Sequence, residues 1–174
     1  MTELKDILYK TGLLEVAGDT SVKITALVLD SRQAAPGSLF VAVKGTHADG
    51  HDFITKAIDK GASAVLCETL PETLIPGITY ARVTDSSQAL GIAAANFYDN
   101  PSAKLKLVGI TGTNGKTTIA TQLFKLFMGL GYSTGLLSTV ENRINGRVIP
   151  ATHTTPDAIS LNYLLHEMVL AGCS

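Results

Sequence analysis

Cysteine is scarce in this chain, and its placement carries no chemistry. Cys67 and Cys173 are the only two; they show neither metal-ligand spacing nor a disulfide framework, so both read as small buried hydrophobes. Net charge is nearly absent too. At −1 the chain builds no field that would gather nucleic acid or an anionic membrane surface, and neither is expected as a partner. No uncharged apolar run approaches membrane-spanning length, and Met1-Thr-Glu-Leu-Lys-Asp6 lacks the apolar core of a signal peptide. These absences predict a soluble protein in a reducing, cytoplasmic setting. With 174 residues of which 45% are hydrophobic, the chain has enough apolar side chains to bury a sizeable core, in one domain or two small ones.

What is present is concentrated in one segment. Leu105-Lys-Leu-Val-Gly-Ile110 reads as a short apolar strand. It meets the glycine-bracketed turn Thr111-Gly-Thr-Asn-Gly115, then Lys116, Thr117 and Thr118. Leu123, Phe124, Phe127 and Met128 then recur at helical spacing, with Gly129 or Gly131 placed to end the helix. Strand, loop and helix in this order form a phosphate-binding loop. Small residues let backbone N–H groups converge on phosphate oxygens, and the helix directs its positive end to the same place. Gly112, Thr113, Asn114, Gly115, Lys116, Thr117 and Thr118 are the candidate ATP-binding residues. Lys116 would reach the β- and γ-phosphates, which makes it the candidate catalytic residue, and the Thr117 hydroxyl would ligate Mg²⁺. The strict G-x-x-x-x-G-K-[ST] pattern fails, because Ile110 stands where its first glycine belongs. The bland reading is a glycine-rich turn with an exposed lysine, and the flanking strand and helix patterns argue against it.

The first hundred residues read as a small α/β domain. Ile24–Leu29 and Leu39–Val43 are β-rich runs around the turn Ala35-Pro-Gly-Ser38. Phe53, Ala57 and Ile58 mark a helix that Gly61 stops; Ala64–Cys67 and Ile78–Val83 read as further strands. A helix capped by Asp85 or Ser86 runs to about Tyr98, and Asp99-Asn-Pro-Ser102 breaks it. The expected domains are therefore 1–102 and 103–174. In the second, Ser133–Thr139 reads as a strand, and Asn145-Gly146 predicts a two-residue type I′ hairpin turn. Thr155-Pro156-Asp157 is expected to open the last helix, with Thr155 as its N-cap and Pro156 in first position. No aspartate-tipped strand for Mg²⁺ follows the loop, unless Glu141 serves. The fold class is α/β: a small N-terminal α/β domain, then the start of a mostly parallel phosphate-loop domain that the expectation counts as incomplete.

Three blocks, in order, resemble the ATP-dependent Mur ligases of peptidoglycan synthesis. The first is Leu29-Asp-Ser-Arg32 followed by Pro36-Gly-Ser-Leu-Phe-Val-Ala-Val-Lys-Gly45, Ala48-Asp-Gly-His-Asp-Phe53 and Gly61-Ala-Ser-Ala64. The second is Thr111–Thr118, whose short form is the family's own. The third is Ser138-Thr-Val140 with the hairpin and His153-Thr-Thr-Pro-Asp157. The resemblance implies that residues 1–102 hold the uridine nucleotide of the substrate, with Leu29, Ser31, Thr46, His47 and Ala48 at contact positions. It places His153, Thr154 and Thr155 at a second substrate-contact block, where the free N–H groups of the opening helix would suit an anion. Read from the residues alone, the first group is a pair of strand-terminal turns with Asp30–Arg32 as a surface ion pair. His153 is then a solvated loop residue, and His51 a helix N-terminal residue rather than a metal ligand.

The third block favours the member that adds the third residue of the stem peptide. The implied reaction joins a diamino acid, meso-diaminopimelate or L-lysine, to UDP-MurNAc-L-Ala-D-Glu. ATP first converts the D-glutamate carboxylate to an acyl phosphate, with Mg²⁺ as cofactor. The resemblance also implies that later metal ligands, a carbamylated lysine and an amino-acid-selecting domain lie beyond residue 174, so residues 1–174 alone are expected to be inactive. The alternatives are the family's D-Ala-D-Ala-adding ligase and a truncated module that only binds. A GTPase is disfavoured because no Asn-Lys-x-Asp motif occurs, and a small-molecule kinase would leave the first domain without a role.

Overall fold

The computed structural model describes residues 1–45, 48–150 and 156–174. The chain divides into two compact units, Met1–Phe97 and Tyr98–Ser174. The fold is mixed α/β with a parallel-rich sheet.

The first unit opens with β1 (Thr2–Glu3) and the short helix α1 (Leu4–Ile7), followed by β2 (Leu13–Ala17), β3 (Lys23–Ile24) and β4 (Ala26–Val28). Next come β5 (Ser38–Val41), α2 (Ile54–Asp59), β6 (Ala64–Cys67), β7 (Thr79–Val83) and α3 (Ser86–Phe97). The expected run Ile24–Leu29 thus splits in two: β3 pairs with β1, and β4 enters the main sheet. That sheet has the order β2-β7-β6-β5-β4, parallel throughout except for β2, which runs antiparallel on β7 at one edge. β5 and β6 are buried at every position, as central parallel strands covered on both faces must be. Their continuous apolar runs made them readable. On one face Val28, Phe40, Val65, Cys67 and Tyr80 close over Ile54 and Ala57 of α2. α1 packs on α3. The parallel order sends the chain out of β4, β5, β6 and β7 at a common edge, and the turns after those strands lie there.

The second unit contains a 3-10 turn at Pro101–Lys104, then α4 (Lys116–Gly129), β8 (Gly135–Leu136), β9 (Glu141–Ile144), β10 (Arg147–Pro150) and α5 (Ala158–Leu170). Its sheet, β10-β9-β8, is antiparallel. The hairpin falls where Asn145-Gly146 put it, with Ile144 opposite Arg147. Only Asn145 of the pair takes a left-handed φ, at 51°, so the turn departs from type I′, which needs both. Ile144, Leu165, Met168 and Cys173 form the small core between hairpin and α5.

Three expectations are corrected here. Residues 105–110 form no strand: Leu107 is 59% and Val108 70% exposed, and no described strand pairs with them. Apolar β-formers make a strand only when a neighbour completes the ladder. The last helix is capped by Asp157, not Thr155. The Asp157 carboxylate accepts from the N–H groups of Ile159 and Ser160, both at 2.9 Å, so the amides expected to receive an anion are already taken. β8 is also shorter than the expected Ser133–Thr139. Cys67 and Cys173 are both buried free thiols, and burial pushes the Cys67 thiol up to about 11. No described helix is long and apolar enough to cross a membrane.

Candidate functional site

The candidate phosphate loop is built on two glycines in conformations other residues avoid. Gly112 has φ 147° and Gly115 has φ 79°, the latter at the N-cap of α4. No side chain caps α4, which leaves the amides at its positive end available to a ligand. Thr113, Asn114 and Thr118 are exposed, and Thr117 is half-buried in the first turn. Lys116 folds back over the loop: its ammonium donates to the carbonyl of Gly112 at 2.5 Å and of Thr113 at 3.3 Å. The loop residues named from sequence are therefore brought together, in a turn whose own carbonyls hold the lysine. Glu141, the alternative metal carboxylate, is engaged by Arg143, at 2.7 Å from Nε and 2.6 Å from a terminal guanidinium nitrogen. Among the described residues no group of three or more His, Cys, Asp or Glu gathers for a metal.

Leu29, Ser31 and Ala48 lie at the shared edge of the parallel sheet, where open α/β sheets bind ligands. Leu29 follows β4, and Ser31 begins a 3-10 turn, Ser31–Gln33, that Asp30 caps by accepting from Arg32 N–H at 2.8 Å. Leu29 is half-buried and Ser31 buried. Asp30 and Arg32 form the anticipated ion pair at 2.8 Å, with the Arg32 side chain 77% exposed. Ala48 follows β5, the parallel neighbour of β4, and its carbonyl accepts from Gly45 N–H at 3.0 Å. Thr46, His47, His153, Thr154 and Thr155 lie outside the described residues.

A polar network at this same edge was not legible in the sequence. Glu68, just past β6, pairs with Lys44 at 2.8 Å. Its other oxygen accepts from the N–H and the hydroxyl of Ser86, the first residue of α3, at 3.0 and 2.9 Å. The Lys44 ammonium and the two Ser86 donors hold the Glu68 carboxyl down to about 2. His51 sits in the 3-10 turn Gly50–Phe53, capped by Asp49. Its Nδ1 lies 2.6 Å from Asp49 Oδ1, and its Nε2 accepts from Glu68 N–H at 2.9 Å. The one available signal was Asp49-Gly-His51, an acidic cap before a helical turn. Its partners on β6 and α3 are joined to it only by folding.

Two family descriptions match the chain: "Mur ligase family, catalytic domain" over residues 23–98 and "Mur ligase middle domain" over residues 110–174. The UDP-N-acetylmuramoyl-L-alanyl-D-glutamate–2,6-diaminopimelate ligase of Cytophaga hutchinsonii is 58% identical over 173 residues, covering 99% of this chain and 36% of that protein. The ligase of the same name from Bacteroides fragilis is 52% identical over 171 residues, with 98% and 35% covered. The chain thus spans about a third of the length of the curated relatives it matches. Among solved structures, one of a diaminopimelate ligase of that name superposes with a TM-score of 0.73 at 23% identity, over 99% of this chain and 34% of that one; it bears on the fold alone. The D-alanyl-D-alanyl ligase of Acinetobacter baumannii superposes with a TM-score of 0.52 at 25% identity, over 83% and 28%. Together with the loop and the sheet edge, these matches show that the chain belongs to the Mur ligase family.

Proposed function

We propose that this chain is the N-terminal part of an ATP-dependent ligase that adds 2,6-diaminopimelate to UDP-MurNAc-L-Ala-D-Glu in cytoplasmic cell-wall synthesis. The observation that carries the reading is the 58% identity, across 173 residues, to a ligase of that name. Residues 1–102 hold the uridine nucleotide at the sheet edge, through Leu29, Ser31 and Ala48 with Thr46 and His47. Residues 103–174 begin the ATP-binding domain. The second contact block, His153, Thr154 and Thr155, belongs to the same proposal.

A carboxylate is a poor electrophile, so the reaction first gives it a leaving group. A carboxylate oxygen of D-glutamate attacks the γ-phosphorus of ATP and ADP departs. The amine of the diamino acid then attacks the acyl carbon, the C–O bond to phosphate breaks, and the amine loses a proton. The chain's own contribution is positioning and charge neutralisation on the transferred group. The loop amides and the uncapped start of α4 face the phosphates. Lys116 exchanges its loop carbonyls for phosphate oxygens, a gain for an ammonium now held by neutral groups. The Thr117 hydroxyl would supply one hard oxygen to Mg²⁺, and the ion, when bound, would supply positive charge against the transferred phosphoryl group.

The D-alanyl-D-alanyl ligase is the second reading, favoured by the shared Asp-Ser-Arg and Gly-Ser-Leu-Phe-Val blocks. Amide formation by the complete protein, assayed with diaminopimelate, L-lysine and D-Ala-D-Ala, separates the readings. We expect turnover with diaminopimelate, lost on Lys116→Ala. Turnover only with D-Ala-D-Ala on its own acceptor would overturn the assignment.

A further inference from the structure

The residues that tie the substrate edge together include one histidine whose hydrogen bonds leave it a single protonation state. A backbone N–H can only donate, so the 2.9 Å contact from Glu68 N–H requires a bare lone pair on His51 Nε2. Thr69 N–H points at the same nitrogen from 3.5 Å. The ring proton must then sit on Nδ1, where the Asp49 carboxylate accepts it at 2.6 Å. His51 is therefore neutral, as the Nδ1–H tautomer, although a carboxylate touches it. Its side chain is only 14% exposed, so water is poorly placed to replace a lost partner.

The ring joins segments remote in sequence. On one side, Asp49 bridges to Lys44, and Gly50 N–H donates to Val43 O at 2.9 Å. These contacts close the stem of the turn that carries Gly45 and Ala48. The stem is tight: a Cβ on Gly50 would lie 2.7 Å from both Val43 N and Val43 O. On the other side, Glu68 ends β6 and holds the start of α3 through Ser86. Lys44 and Glu68 close a second link between the same two sides, at 2.8 Å. The charged groups around the ring are thus Asp49 on its own turn, Lys44 at the stem and Glu68 at the end of β6.

We propose that His51 is a positioning residue for nucleotide binding: as a neutral Nδ1–H imidazole it clamps the stem formed by Lys44, Asp49 and Gly50 to the end of β6 and so fixes where Ala48 meets the ligand. This rests on the reading of the sheet edge as the uridine-nucleotide site. His51 itself touches no reacting atom. Asp49 orients the ring, Glu68 N–H donates to its lone pair, and the Lys44–Glu68 pair is a second, more exposed link between the same two sides.

The test has two arms on the 174-residue chain. The first is ¹⁵N NMR of the unsubstituted protein, which separates protonated from bare imidazole nitrogens. At neutral pH it should show His51 with Nδ1 protonated and Nε2 bare; a proton on Nε2 would overturn the clamp with no mutation involved. The second is calorimetry with UDP-MurNAc-L-Ala-D-Glu. His51→Leu should weaken binding by about tenfold or more, since it leaves a half-buried amide without its acceptor. His51→Gln, whose amide oxygen reaches the Nε2 position, should recover most of that loss. Binding by His51→Leu as tight as by the unsubstituted chain would overturn the inference alone. No binding by the unsubstituted chain would overturn the site reading on which it rests.

Discussion

Asp157 illustrates how much one residue settles. Its carboxylate takes the N–H groups of Ile159 and Ser160, and its second oxygen accepts the Ser160 hydroxyl at 2.8 Å. Asp157→Ala should cost about 1 kcal/mol of stability, the usual worth of an N-cap, read as a lower urea midpoint. Thr155 and Asp157 are both good capping residues, so residue type could not choose between them; two positions of chain geometry did. Glu68 acts at the same scale through charge. Its folded-state value of about 2 lies below the ordinary 4.5. The stability it contributes is therefore complete above about pH 4.5 and is lost as the pH falls toward about 2. Glu68→Gln should be less stable than the unsubstituted protein near neutrality, and should lose less further stability between about pH 5 and 3. Equal acid sensitivity in the two proteins would contradict the assignment. Neither the Glu68 contacts nor those of His51 could be read from sequence, because Lys44, Glu68 and Ser86 meet only after β5, β6 and α3 are assembled.

Elements were legible where their signal was local. β6 stands at Ala64–Cys67 as its apolar run required, and the hairpin follows from Asn145-Gly146. α4 carries the expected Leu123, Phe124, Phe127 and Met128, although only Phe124 among them is fully buried. Residues 105–110 show the limit of local reasoning. Their composition is that of a strand, yet strand formation is a property of a pair, and no described strand supplies the partner. The consequence is measurable by hydrogen exchange on this chain. Amides 106–110 should exchange close to the unstructured rate, while those of β5 and β6 should be strongly protected. Slow exchange across 106–110 would mean that a ladder forms there.

At the scale of the whole molecule, the two compact units carry different halves of one proposed reaction. The first has a complete five-stranded sheet with buried central strands. Leu29, Ser31 and Ala48 sit on turns leaving adjacent parallel strands, and the proposed uridine-nucleotide site lies there. The second has the candidate phosphate loop at the start of α4, but its apolar side chains Leu107, Val108, Leu126 and Leu130 are at least 55% exposed. Nucleotide-substrate recognition is therefore expected to be the stronger activity of residues 1–174. The most direct measurement is calorimetry of this chain with UDP-MurNAc-L-Ala-D-Glu, and separately with Mg·ATP. We predict saturable binding of the UDP ligand, weakened by replacing Ser31 with a bulky side chain, beside weak or absent binding of ATP. Tight ATP binding with no affinity for the UDP ligand would contradict the central claim.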